Sequence, residues 1–143
     1  MKIKLLNKGK FPTKSHKEDI GLDLYLPEKI ILTPFETKTI GLKMCVAIPE
    51  GFAGMIVPRS SIAKKGLIMQ TQIIDPGYQG EIHLIVTNCS NSIQTFDENE
   101  RLCSLVVYSI LNPYLEEVNE FTEISSRGKN GLGSSGKYWN EYF

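Results

Sequence analysis

The sequence has no excess of charge of either sign. Its 143 residues carry 16 lysines and arginines against 16 aspartates and glutamates. No long-range field therefore recruits nucleic acid or an anionic membrane, and any bound anion must be held locally. Cysteine is scarce too. Cys45, Cys89 and Cys103 form no CxxC pair and are odd in number, which argues against a disulfide framework or a zinc site and fits reduced thiols filling core space. Long apolar runs are missing: the uncharged run from Leu102 to Leu115 is broken by Ser104, Asn112 and Pro113 and falls short of the roughly 20 apolar residues of a membrane span. The opening "MKIKLL" alternates lysine with apolar residues and lacks the apolar stretch of a signal peptide. A soluble, cytoplasmic protein with no membrane or nucleic-acid partner is expected, of a length that suits one domain with one core.

What is present is period two. Ile40, Leu42, Met44, Val46 and Ile48 recur at every second position, as do Ile82, Leu84 and Val86, which puts each set on one face of a pleated strand. "RLCSLVVYSIL" is apolar on both faces, as a strand inside a protein or an interface would be. Turn signals separate these segments: Pro27-Glu28, Thr33-Pro34, "IPEGF" at 48–52, "DPG" at 75–77 and "SNS" at 90–92. Short strands at such spacing predict an all-β sandwich or barrel. The best helical stretch is short, Ser61 to Lys65, stopped by Gly66. No internal repeat is visible and no linker precedes residue 124. From Ser125 the composition changes, with four glycines and four serines in twelve residues. This divides the chain into a core, 1–124, and a flexible arm, 125–143, read either as a disordered tail or as a segment that orders over a ligand.

Polar residues concentrate at three further places. "VPRSSIAKKGL" sets Arg59, Ser60 and Ser61 before the helical stretch, either as a phosphate cradle or as a serine N-cap beside a surface ion pair. "EDIGLDLYLP" places Asp19 and Asp23 around Gly21. Two carboxylates four apart on an extended chain share a face and suit a hydrated divalent cation, although a turn at Asp19-Ile20-Gly21 also accounts for the first of them. "TQIIDPGYQGEIHLIVTN" puts Asp75 at the tip of an apolar hairpin. His16 and His83 lack metal-spaced partners, and His83 reads as a strand-surface residue; Lys64 and Lys65 read as solvated, adding local positive potential near the phosphates.

The order of "EDIGLDL", "PRSSIAKKGL", "IIDPGYQGEI", "ENERLCSLVV" and "RGKNGLGSSG" along residues 3–136 resembles the five ordered motifs of the trimeric deoxyuridine triphosphatase (dUTPase) family. The resemblance implies a distorted jelly-roll β-barrel and a homotrimer whose active sites are shared between chains. It implies hydrolysis of dUTP to dUMP and pyrophosphate, which keeps uracil out of DNA and supplies dUMP for thymidylate synthesis. Asp75 would be the general base for the water attacking the α-phosphorus. Arg59, Ser60, Ser61 and Ser104, with Arg127, Gly133 and Ser134 from the arm, would hold the phosphates. Main-chain groups of the hairpin around Gln72, Ile73, Ile74, Glu81 and Ile82 would receive uracil, Tyr78 would floor the deoxyribose, and Leu132 would cap the base. Mg2+ would ride on the triphosphate, with Asp23 reaching it through water only.

The chain departs from the family's pattern at several positions. Leu132 stands where phenylalanine is usual, Ser104 where a glutamine is usual and Gln72 where a glycine is expected, and the segment from Gly66 to Asp75 is about two residues short. The fold is shared with dCTP deaminase, whose catalytic glutamate would fall at Ile85; a nucleotide-binding homologue with weakened catalysis and a regulatory role is the other alternative. A carbohydrate-binding jelly roll would want exposed aromatics in a groove, and the chain has one tryptophan.

Overall fold

The alternation seen in the sequence is realised as strands. In a computed structural model, the elements in chain order are β1 (Lys2–Leu5), β2 (Leu22–Tyr25), β3 (Ile30–Leu32), β4 (Thr37–Ala47), β5 (Phe52–Pro58), α1 (Ser60–Ala63), β6 (Leu67–Met69), β7 (Gln72–Ile74), β8 (Glu81–Asn88), β9 (Gln94–Phe96) and β10 (Arg101–Ser109). The structure describes residues 1–123 and 125–129; Leu132, Gly133 and Ser134 lie outside them. All pairings are antiparallel. They build sheets in the orders β1-β4-β8-β6 and β2-β10-β5-β7, with a small β3-β9 ribbon. The architecture is the all-β jelly-roll expected.

The chain divides into two units, Met1–Asn112 and Pro113–Phe143. Among the described residues, the first holds the strands and the core. Ile40, Leu42, Met44, Val46 and Ile48 are all buried, as are Ile82, Leu84 and Val86, so period two read the inward face of β4 and β8 correctly. In β10 Leu102, Cys103 and Leu105 are buried while Val106, Val107 and Tyr108 are half-buried, because the strand lies between β2 and β5. In the second unit, Gly128 N–H donates to the Ser125 carbonyl at 3.0 Å, and this closes the turn that carries Arg127.

Three local expectations are revised. The helix begins at Ser60 and is a single turn, with Gly66 at φ +76° where the chain reverses into β6. Its N-cap position is Arg59, with no side-chain cap, so neither serine is a capping residue. Cys103 is buried and Cys45 half-buried, but Cys89 is exposed and fills no core space.

One buried polar residue ties the loops to the barrel. Asn88, fully buried at the end of β8, donates through Nδ2 to the carbonyls of Leu32, Thr33 and Ser92 at 3.1, 3.1 and 2.8 Å. Its Oδ1 accepts from the Ser90 N–H and hydroxyl at 3.0 and 2.7 Å. The "SNS" turn is thus built around a side chain outside it. Because alanine would leave one buried and two part-buried carbonyls without this donor, Asn88→Ala is expected to lower unfolding stability by about 3 kcal/mol, read as a fall in the urea midpoint at unchanged m-value. A shift within error of zero would contradict this account.

Candidate active site

The site grows from a change of partners. β6 pairs with β8, the last register being Met69 opposite Val86; three residues later the chain pairs with β5, as Gln72 opposite Ile56 and Ile74 opposite Gly54. Between these sheets the ladder on β8 runs out. Gln70 N–H still reaches the Ile85 carbonyl at 3.0 Å, and the next donor, Ile85 N–H, is taken by the Gln72 side-chain Oε1 at 3.2 Å. The seam opens beyond that bond into a cavity of about 280 Å³ lined by Ile56, Gln72, Ile73, Ile74, Asp75, Tyr78, Glu81, Ile82 and His83. Every hairpin residue assigned from the sequence is therefore gathered here. His83, which read as a plain surface residue, is exposed but also lines the cavity.

The hairpin tip is rigid for local reasons. Gly77 adopts φ +86°, a conformation that favours glycine, and Tyr78 N–H donates to the Asp75 carbonyl at 3.2 Å. The Tyr78 hydroxyl donates across the turn to the Glu81 carbonyl at 2.9 Å. Its ring lies where a Cβ on residue 80 would sit, so Gly80 is required for that placement. Asp75 is left exposed at the mouth. Glu81 turns its carboxylate to a β-bulge in β4, where Lys43 has φ +55°. Its Oε1 accepts from Lys43 N–H at 3.0 Å and pairs with Lys43 Nζ at 3.4 Å. The Lys43 main-chain bond, aided by the lysine charge, holds the Glu81 carboxyl below its ordinary value.

A second, polar hollow of about 480 Å³ is lined by Ser15, His16, Asp19, Ile20, Gly21, Asp23, Arg59, Ser60 and Ser104. At its base Asp23 is buried. Its Oδ2 accepts from Arg101 at 2.8 Å and its Oδ1 lies 3.3 Å from Arg59 Nε. Ser104 and Ser15 hydroxyls donate to it at 3.0 and 3.4 Å. A Cβ at Gly21 would lie 2.9 Å from Ser104 Cβ, so glycine there lets β2 close on β10. One carboxylate thus holds two guanidiniums, and Arg59 shares the hollow with exposed Ser60, a grouping suited to phosphate oxygens; Ser61, though exposed, does not line the hollow. Arg101 had no assigned role; its signal was a lone base opening a doubly apolar strand. Asp19 accepts from His16 N–H at 2.8 Å, so it closes the turn before it rather than the one at Gly21. Cys103, behind Asp23, has its thiol pushed up to about 12 by burial and by that carboxylate, which keeps it an unreactive thiol at neutral pH.

Among the described residues no three His, Cys, Asp or Glu side chains converge to hold a metal ion. Asp23, already flanked by two arginines, suits an outer contact to a hydrated cation rather than direct ligation. Also among the described residues, no helix is long and apolar enough to cross a membrane.

The dUTPase family profile matches residues 7–136. A deoxyuridine 5'-triphosphate nucleotidohydrolase of Clostridioides difficile is 34% identical over 140 residues, covering 95% of this chain and 97% of that protein. A structure of a mutant Staphylococcus bacteriophage 80alpha dUTPase with dUpNHpp superposes with a TM-score of 0.91 at 29% identity, covering 95% of this chain and 98% of that one. A dUTPase mutant from phage phi11 of S. aureus, solved with a structural Mg(II) ion, gives a TM-score of 0.81 at 27% identity, with coverages of 85% and 98%.

The Glu81 contact predicts a pH dependence. Its pKa is depressed on folding, so the stabilisation is present above the ordinary value of 4.5 and is lost as pH falls through the folded value. The urea-midpoint difference between the wild type and Glu81→Gln should therefore be constant near neutrality and shrink below about pH 4.5; a difference independent of pH would contradict the assignment.

Proposed function

The chain belongs to the dUTPase family, whose members hydrolyse dUTP, and we propose that Asp75 activates the water that splits dUTP into dUMP and pyrophosphate here. The observation that carries this reading is the placement of Asp75 at the mouth of the hairpin cavity, exposed to solvent, with its turn fixed by Gly77 and Tyr78. A base bound between β7 and β8 would leave its sugar over the Tyr78 ring and its α-phosphate at Asp75. The carboxylate then orients a water and takes its proton as the oxygen attacks phosphorus, and pyrophosphate leaves. Most of the barrier is charge on the transferring phosphate, which Arg59, Ser60 and Ser61 would stabilise by direct donation, and Arg127, Gly133 and Ser134 from the arm. Ser104 would contribute by holding Asp23, with which it is already bonded. Mg2+ would be held chiefly by the substrate's phosphates, with Asp23 reaching it through water only, and would supply charge neutralisation there. The biological effect of the reaction is to keep uracil out of DNA and to supply dUMP for thymidylate synthesis; the cytoplasm is the compartment that suits free cysteines. Deamination of dCTP is not favoured, because position 85 is an isoleucine whose main chain is held in the β-seam.

The register of β5 and β7 argues for a shared site. Asp75 leaves the ladder beside Gly54, which faces Ile74, whereas Arg59 leaves β5 at its other end, beyond Ile56. Five residues of strand span roughly 17 Å. A strand separation of that size favours an α-phosphate at Asp75 and a polyphosphate at the same chain's Arg59 belonging to different nucleotides. We therefore read the active unit as a homotrimer in which one chain's hairpin faces another chain's arginine cluster, with the arm of a third chain closing over both.

Asp75→Asn should fold, retain nucleotide binding and lose about 10³-fold in kcat, within the range of general-base catalysis; activity near that of the wild type would remove Asp75 from its role. Arg59→Ala should be similarly impaired. Co-refolding the two variants in equal amounts should restore about a quarter of the wild-type sites, since random assortment pairs an intact hairpin with an intact cluster at that frequency. No recovery in a mixed trimer would sink the shared-site arrangement.

A further inference from the structure

We propose that the Gln72 side chain reads the nucleotide base, acting as a hydrogen-bond relay that selects a carbonyl over an amino group at the pyrimidine 4-position. The inference rests on the dUTP-hydrolase reading and names a specificity determinant within it. Gln72 is half-buried, lies on the cavity wall and faces the same side of β7 as buried Ile74. Its Oε1 accepts from Ile85 N–H, and its Nε2 has no hydrogen-bond partner among the described residues. The carboxamide thus takes up one backbone donor through its oxygen and leaves its own N–H groups to be offered at the cavity wall. Gln72 precedes Asp75 by three residues, roughly 10 Å of strand. A pyrimidine whose sugar and phosphate lie at the Asp75–Tyr78 tip therefore turns the edge opposite N1, its N3–C4 edge, toward Gln72. Uracil and thymine present an acceptor at O4 and complement the amide N–H. Cytosine presents an amino donor, and two donors left facing each other without a partner are strongly disfavoured. The relay distinguishes dUTP from dCTP and is silent between dUTP and dTTP.

The test uses the full chain and measures affinity for non-hydrolysable α,β-imido analogues of dUTP, dCTP and dTTP, together with pyrophosphate release from the natural nucleotides. Gln72→Glu keeps an acceptor for Ile85 N–H and exchanges the outward donor for an acceptor; Gln72→Met removes both. In Gln72→Glu the preference for the dUTP over the dCTP analogue should fall about tenfold or more, with the dUTP-to-dTTP ratio unchanged. Any general repulsion between the new carboxylate and a triphosphate cancels in these ratios. For dUTP turnover KM should rise while kcat stays near the wild-type value. In Gln72→Met the preference should fall less. A dUTP-to-dCTP ratio within twofold of wild type in both variants would overturn the proposal and leave Gln72 as a clasp between strands. Should Gln72→Met fail to fold, Gln72→Glu decides alone. Absence of pyrophosphate release by the wild type would instead sink the hydrolase reading, and the analogue affinities would still decide whether Gln72 selects the base.

Discussion

The chain leaves one sheet for the other between Met69 and Gln72, and the rest of the site depends on that transfer. While β6 lies along β8 the two strands satisfy each other; once β7 has moved to the edge of β5, β8 has a donor with no strand beside it. A part-buried N–H in that position costs free energy unless something reaches it, and Gln72 Oε1 does so. The same divergence that creates the orphan donor creates the cavity. A continuous ladder from Leu67 to Ile74 would leave no space between β7 and β8, and Asp75 would end an ordinary strand rather than stand at the rim of a pocket. The apolar wall of Ile56, Ile74 and Ile82 is core on one side and pocket lining on the other, so the pocket inherits the rigidity of the packed interior.

Charge is handled with similar economy. A chain with no net charge draws in a polyanion only by concentrating cations at one spot, and long basic side chains at a rim are usually mobile and screened. Here a buried carboxylate fixes two of them. Asp23 is bonded by Arg101 and Arg59 and braced by two serines, so the guanidiniums are pre-organised before any anion arrives. An acid inside a strand is unfavourable by itself; in β2 it is compensated on both oxygens.

Features that repeat or that lie in one contiguous stretch were legible in the sequence. The inward faces of β4 and β8, the turns at 48–52 and 75–77, and the gathering of Gln72, Asp75, Tyr78 and Glu81 around one hairpin followed from alternation, turn chemistry and motif order. What escaped was made by contacts between distant residues. Asn88 organises a turn through carbonyls 55 and 56 residues away. Arg101 meets an aspartate 78 positions earlier. The Lys43 bulge is stabilised by a glutamate 38 positions later. None has a local pattern, because side-chain hydrogen bonds across sheets leave no period. The helix was misplaced for a milder reason: Ser60 and Ser61 have the chemistry of caps, but Arg59 N–H is tied to the Leu102 carbonyl, so the strand pairing sets where the turn of helix begins.

The separation of Asp75 from Arg59 has a consequence for how activity and assembly are coupled under the shared-site reading. Each end of β5 would then carry half of a site, and the strand between them, paired with β10 on one side and β7 on the other, would not fold back to join the halves. A lone chain would hold a base pocket with an exposed acid and, elsewhere, an anion cluster, neither sufficient to hydrolyse a triphosphate. Water activation and phosphate stabilisation would meet only when a second chain brings its cluster to the hairpin. Hydrolysis would then be confined to the assembled protein, and a partly folded or dissociated chain would be harmless to the pool of other nucleoside triphosphates, because its acid would act on nothing that its arginines hold.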